Sequence, residues 1–193
     1  MPLYFLGFLA TLAATVLLYL AAVAFVAIRR RPAPAFIKGS LAHRLQGASV
    51  ALLWAGVGMC WLLYFNVYRI HVDMNVLGEQ ALHAFNRAYT AHLPIVVLPY
   101  GLTCLVSVLG LWSEPVRLSQ PVLWAAATLC IISIVTTPFA AGALGDMHDH
   151  GFSDSAYQQL QVAHFARSLA LTAAALWVLI AGWTRPALNP HPA

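Results

Sequence analysis

Histidines and carboxylates crowd into a few short stretches of this sequence, and Asp146-Met147-His148-Asp149-His150 is the densest of them. Imidazole and carboxylate both offer lone pairs at neutral pH, which is what a Zn or Cu ion takes from a protein. On an extended loop the alternating spacing presents His148 and His150 on one side, with Asp146 beside them as a third ligand. The plainer reading of the same residues is a polar loop facing water.

A second group, His164, Arg167 and Ser168, is spaced i, i+3 and i+4, so all three share a helix face. Arg167 is expected about one turn inside the end of an apolar run. A charge placed there is costly and turns into the bundle or a cavity, unless its stem lies along the helix and the guanidinium snorkels to the headgroups. The third group is the stretch from His83 to Pro94, HAFNRAYTAHLP. His83 and Arg87 share one helix face, and Tyr89 and His92 share another pointing roughly the opposite way. The second face continues into an apolar run, which makes Tyr89 and His92 the candidates for the bundle interior. Capping and interface anchoring are the alternative.

Other polar or small residues read as structural. Asn66, between Tyr64 and Tyr68, is expected to bond a neighbouring helix, and Gly56 and Gly58 to allow close helix contact. Cys60, Cys104 and Cys130 each sit inside an apolar run without a CxxC pattern and read as small core residues. There is no Walker loop, GxSxG, HExxH or dinucleotide fingerprint.

The elements that position these groups are membrane helices. The chain has 193 residues, 61% hydrophobic and only 8% charged, with mean hydropathy +0.77. Soluble domains run near a quarter charged, and so few charges cannot cover a water-facing surface. The net charge of +4 sits in short stretches between long apolar runs, so it speaks of membrane orientation and not of nucleic acid. Five runs approach the roughly 20 apolar residues that a span needs: 3–28, 48–68, 92–112, 121–144 and 164–183. The fold class is therefore an all-α polytopic bundle of about five transmembrane helices, one domain over residues 1–183, with a disordered tail over 184–193. Pro94, Pro99 and Pro138 predict kinks.

Arg29, Arg30, Arg31, Lys38, Arg44, Arg117 and Arg185 fall on one side, against Arg69, Arg87 and Arg167 on the other. The positive-inside rule then places the N-terminus outside and the C-terminus in the cytoplasm. Trp112, Trp124 and Trp183 fall at cytoplasmic helix ends, as an aromatic belt does. The first run is too long for a signal-peptide core and has no positive region before it, so it reads as a retained helix. On this topology His71, His83, His92, His148, His150 and His164 all lie in the outer half, and only His43 and His191 inside. Two outer segments exceed simple turns. Residues 70–91 carry a helical apolar period. Residues 145–159 read as a mobile polar loop, closed by a capping box of Ser155 and Gln158.

The stretches EQALHAFNRAYTAHLPIVVLPYGLTCLVSVLGLW (79–112) and AHFARSLALTAAALWVLIAG (163–182) resemble the small four-helix membrane proteins grouped with the fungal anthrone oxygenases. That family has an asparagine- or histidine-bearing helix entry, a proline soon after, and a last helix opening with His-x-x-Arg. Asn86, His92, Pro94, His164 and Arg167 match those features. The chain departs from the pattern at Val162 and Ala163, where a tryptophan is usual, and at Thr136-Thr137-Pro138, where asparagines usually flank the proline. The resemblance implies oxygenation of a hydrophobic polycyclic phenol that can proceed without a metal cofactor. His164 is then the base, Arg167 stabilises the enolate, and His92 with Tyr89 lines the pocket.

Two other readings stand beside this one. A non-enzymatic outer-face Cu or Zn protein would use Asp146, His148 and His150. An accessory subunit would pack the small residues of the first helix (Ala10, Ala13, Ala14, Ala21, Ala22, Ala24) against a larger complex. The cofactor is left unknown, and haem held between His92 and His164 stays open. The expected partners are the lipid bilayer and a hydrophobic small molecule, with homo- or hetero-oligomers both open. The expected location is a bacterial plasma membrane. A transporter is disfavoured, because no inverted repeat is evident and no charge falls at the middle of a predicted span.

Overall fold

The computed structural model describes residues 3–183, so the expectations for the tail, including Arg185 and His191, lie outside the described residues, as does the Trp183 side chain. Helix α1 spans Leu3–Arg29 and stops where Arg30 adopts φ 50° ahead of Arg31 and Pro32. Helix α2 spans Gly39–Leu62 and runs into a π-helical turn, Leu63–Val67. There the Tyr68 N–H donates to the Leu63 carbonyl at 3.0 Å, five residues back. One residue is thereby added to the turn, and every side chain beyond it is rotated relative to α2. Helix α3, Arg69–Leu77, continues to Gly78, whose φ of 106° suits a residue without Cβ and turns the chain back into α4, Glu79–His92.

Helix α5 begins at Pro94, where a missing N–H costs nothing, spans Pro94–Leu109 and ends in a 3₁₀ turn, Gly110–Trp112. The fourth apolar run is two helices, α6 over Gln120–Val135 and α7 over Thr137–His150. The break falls at Thr136, just ahead of Pro138, which cannot donate to the preceding turn. Helix α8 spans Asp154–Trp183. Among the described residues there is one isolated bridge, Ile37 to Ser113, and no strand. Among the described residues five helical units are long and apolar enough to cross a membrane, so this is a multi-pass, all-α membrane protein.

Helix α8 is the hub and packs against α2, α6 and α7, while α5 packs against α1, α2 and α6. Gly56 brings α2 close to its neighbours: a Cβ there would meet Thr103 at 3.4 Å and Leu171 at 3.6 Å. Gly58, expected to act alike, faces nothing within 4 Å. All three cysteines are buried and free. Most of the small residues of α1 point outward, with Ala10, Ala13, Ala21 and Ala24 exposed and Ala22 buried.

At the end carrying Lys38, Arg44 and Arg117, one buried amide of α2 holds the loop between the 3₁₀ turn and α6. Gln46 donates to the Glu114 carbonyl at 2.7 Å and to Ser113 Oγ at 3.0 Å. Its oxygen accepts from the N–H groups of Arg117 at 2.8 Å and Leu118 at 3.0 Å. Trp112 stacks on Phe36 and Trp124 meets Tyr19 edge-on, so both tryptophans anchor this end.

The structure corrects several expectations. The segment from Gly145 is not a loop, since α7 stays helical to His150 and only Gly151, Phe152 and Ser153 separate it from α8. The cap of α8 is Ser153, whose Oγ accepts from the Ala156 N–H at 3.2 Å, not Ser155 with Gln158. The predicted runs were bounded by hydropathy alone. Polar residues of the opening turns therefore hid that α2 starts at Gly39 and α8 at Asp154.

Candidate functional site

The longer α8 moves the His-x-x-Arg pair. His164 and Arg167 lie well inside a 30-residue helix, not in its first turn. Arg167 is only 8% exposed, so it faces the bundle and does not snorkel. Its guanidinium donates to Thr136 Oγ1 at 3.2 Å, Thr137 Oγ1 at 3.1 Å and His164 Nε2 at 3.3 Å, and lies 5.0 Å over the Tyr100 ring. The helix break that Pro138 enforces delivers the two threonines, the same positions that depart from the resembled family. Tyr100 is held in turn by Ser133 at 2.9 Å.

Among the described residues no carboxylate meets Arg167. Among the described residues the one ion pair is His83 with Glu79, on the exposed side of α4. Buried charges in proteins are normally paired. Neutral hydroxyls, an imidazole and a π face leave this one without its counter-charge.

The π-helical turn supplies the next member. Tyr68, just beyond it, is 2% exposed and its hydroxyl lies 2.7 Å from His164 Nε2 and 3.3 Å from the Tyr89 hydroxyl. A guanidinium only donates, so Nε2 is the acceptor and the proton of this tautomer sits on Nδ1. Tyr68 then donates to the same nitrogen at the shorter distance and receives from Tyr89. Burial raises the Tyr89 phenol above its ordinary value, so it keeps its proton. The His164 Nδ1 atom is buried without a partner.

These groups form one end of a cavity of about 310 Å³. That is at the lower bound of small-molecule sites. Phe8 and Leu12 of α1, Met59 and Cys60 of α2, Val97 of α5 and Ile134 of α6 make the rest of the wall almost wholly apolar. Leu9, Pro138 and Ala141 also line it and are exposed. The cavity therefore opens sideways between α1 and α7, through exposed apolar residues.

Of the expected site residues, the structure brings together His164, Arg167 and Tyr89. His92 is elsewhere: its ring is exposed and its Nδ1 bonds the Ala88 carbonyl at 2.8 Å, one turn back on α4. Tyr89 and His92 both lie on α4, but the Tyr89 hydroxyl meets Tyr68 while His92, the last residue of the helix, stays exposed. His92 thus does not line this cavity and offers no second axial ligand opposite His164. His148 and His150, two residues apart on a helix, point to different sides of α7 instead of one side of a loop. Both are exposed, as is Asp146. Among the described residues no group of three or more His, Cys, Asp or Glu is placed to hold a metal.

Tyr68, Tyr100 and the pair Thr136 and Thr137 are members that spacing could not find, since they join α8 from 96, 67 and about 30 residues away. Asn66, the polar residue that drew notice beside Tyr68, is exposed within the π turn. No protein-family model, curated protein or solved structure matches this chain.

Proposed function

We propose that this protein is a membrane oxidoreductase that deprotonates a hydrophobic, ring-bearing ketone or phenol in the cavity and passes it to dioxygen, as the resemblance to the anthrone oxygenases implies. One observation carries this reading: an unpaired Arg167 and a Tyr68–His164 pair stand together at the only strongly polar end of an apolar cavity. A cation without a counter-ion is suited to charge that appears during a reaction, because it is in place before the charge forms. The mouth on the lipid-covered side gives a membrane-dissolved substrate a route in without passing through water.

With an anthrone the steps balance. A proton leaves the methylene carbon for the Tyr68 oxygen as the Tyr68 proton moves to His164 Nε2. The electron pair of the broken C–H bond delocalises onto the substrate carbonyl oxygen, where Arg167 stabilises it. Dioxygen adds at the carbon and takes a proton back from the relay, giving a hydroperoxide. Loss of the second C–H proton and of hydroxide, together one water, leaves a second carbonyl. One anthrone and one dioxygen thus become one quinone and one water, with no net proton change. The reacting end belongs to the outer half of the bilayer on the charge asymmetry of the loops.

Purified protein in bilayers is expected to convert anthrone to anthraquinone with consumption of one dioxygen, and His164→Ala to lose most of that rate. Equal rates in the two proteins would remove the assignment.

A further inference from the structure

The buried polar atoms that this reaction leaves unused belong to α3, α4 and α8. His71 is fully buried, edge-on to Phe85 at 4.8 Å between ring centroids, and 6.1 and 6.2 Å from the rings of Tyr68 and Tyr89. It lies beside the Tyr68 and Val67 carbonyls, yet neither ring nitrogen makes a hydrogen bond. A neutral imidazole has one donor and one acceptor nitrogen. Even a closer approach to a carbonyl would leave one of them bare. Asn86, one turn before Tyr89, is 6% exposed, and its amide nitrogen has no acceptor. His164 Nδ1, across the ring from the nitrogen that meets Tyr68, is the third such group.

Buried polar groups are rarely left unmet, and a buried water typically serves two to four of them. Two of these residues, His71 and His164, pack against Tyr68, and Asn86 lies one turn before Tyr89 on α4. The cavity mouth at Leu9, Pro138 and Ala141 is apolar and faces lipid, which makes it a poor path for water. The α3–α4 hairpin exposes Asp73 and Glu79 beside Val76 and Leu77, so carboxylates reach its surface, as they do not at the mouth.

We infer that His71, Asn86 and the hydroxyls of Tyr68 and Tyr89 line a hydrated chamber under the hairpin, through which product water and exchanging protons pass between the reacting end of the cavity and the outer face. The chamber's role in turnover rests on the proposed reaction, whereas its hydration does not. His71 and Asn86 act in it as relay and positioning residues, since neither lines the substrate cavity.

Two measurements test this separately. In bilayers, water-to-protein magnetisation transfer to ¹⁵N-histidine is expected to reach His71 and His164, with the His71 signal assigned by its loss in His71→Gln. A dry His71 overturns the chamber whatever the activity, and a hydrated His71 in a protein that fails to oxidise anthrone upholds the chamber while sinking the reaction. The second measurement uses anthrone in D₂O without dioxygen, where an abstracted proton is returned as deuterium only after exchange with bulk water. His71→Phe is expected to lower catalysed deuterium wash-in roughly tenfold, and Asn86→Leu likewise, with His71→Gln restoring it. Wash-in equal to wild type in both His71→Phe and Asn86→Leu overturns the relay.

Discussion

The two ends of this bundle each bury a polar cluster, and the two clusters are finished differently. At the basic end Gln46 makes every hydrogen bond its amide can make with two loop residues on either side, and it closes the structure. At the opposite end Arg167 lacks a counter-charge, and atoms of His71, Asn86 and His164 lack partners. A satisfied network rigidifies, whereas a partly satisfied one is a cost that stability alone does not explain. The difference teaches where to look for function: in the polar cluster that the protein leaves incomplete, not in the one that is richest in hydrogen bonds.

Substitutions can break or sharpen that contrast. Arg167→Met should have the largest effect on turnover, a loss of about 10²- to 10³-fold, as for removal of a preorganised charge stabiliser. The same change should leave the melting temperature equal or higher, because an apolar chain of similar length replaces a buried unpaired charge. A protein that instead unfolds would make Arg167 a structural residue like Gln46. Next, Tyr68→Phe should slow oxidation about 10²-fold by cutting the relay to His164. Its stability cost, read by denaturation in detergent, should stay near 1 kcal/mol.

Gln46→Leu should show the reverse pattern. It strands the N–H groups of Arg117 and Leu118 and should cost about 2 kcal/mol of stability, with turnover per folded molecule unchanged. Slower turnover there would mean that the two ends are coupled. Smallest of all, His92→Ala should alter neither quantity, with stability within about 0.5 kcal/mol of wild type. A marked loss of oxidation would return His92 to the site and refute its outward placement.

Much of the scaffold was legible. Hydropathy located five spans, and the apolar period in residues 70–91 foretold helix there, but not its division at Gly78 into α3 and α4. The boundaries were less so, because membrane helices continue past the apolar core wherever polar residues still satisfy their backbone. That is why α8 extends ten residues before His164 and why the His148 region is helix. Half of the site was also visible in part. His164, Arg167 and Tyr89 stood out as ionisable or phenolic groups on helix faces. His92 misled because sharing a helix with Tyr89 did not carry shared burial: it is the last residue of α4, is exposed, and bonds the Ala88 carbonyl.

The amino-acid sequence by itself determined that this chain is a bundle of apolar helices, with imidazoles gathered toward one end and cations toward the other. Transfer free energy depends on residue type and order alone, so that much needs no tertiary information. Only the tertiary structure decided that Arg167 turns inward, that Tyr68 meets His164, and that Thr136 and Thr137 complete the arginine's bonds. Those contacts join residues far apart in the chain. Their register is set by a π turn, a proline break and the packing around α8, which no local pattern encodes.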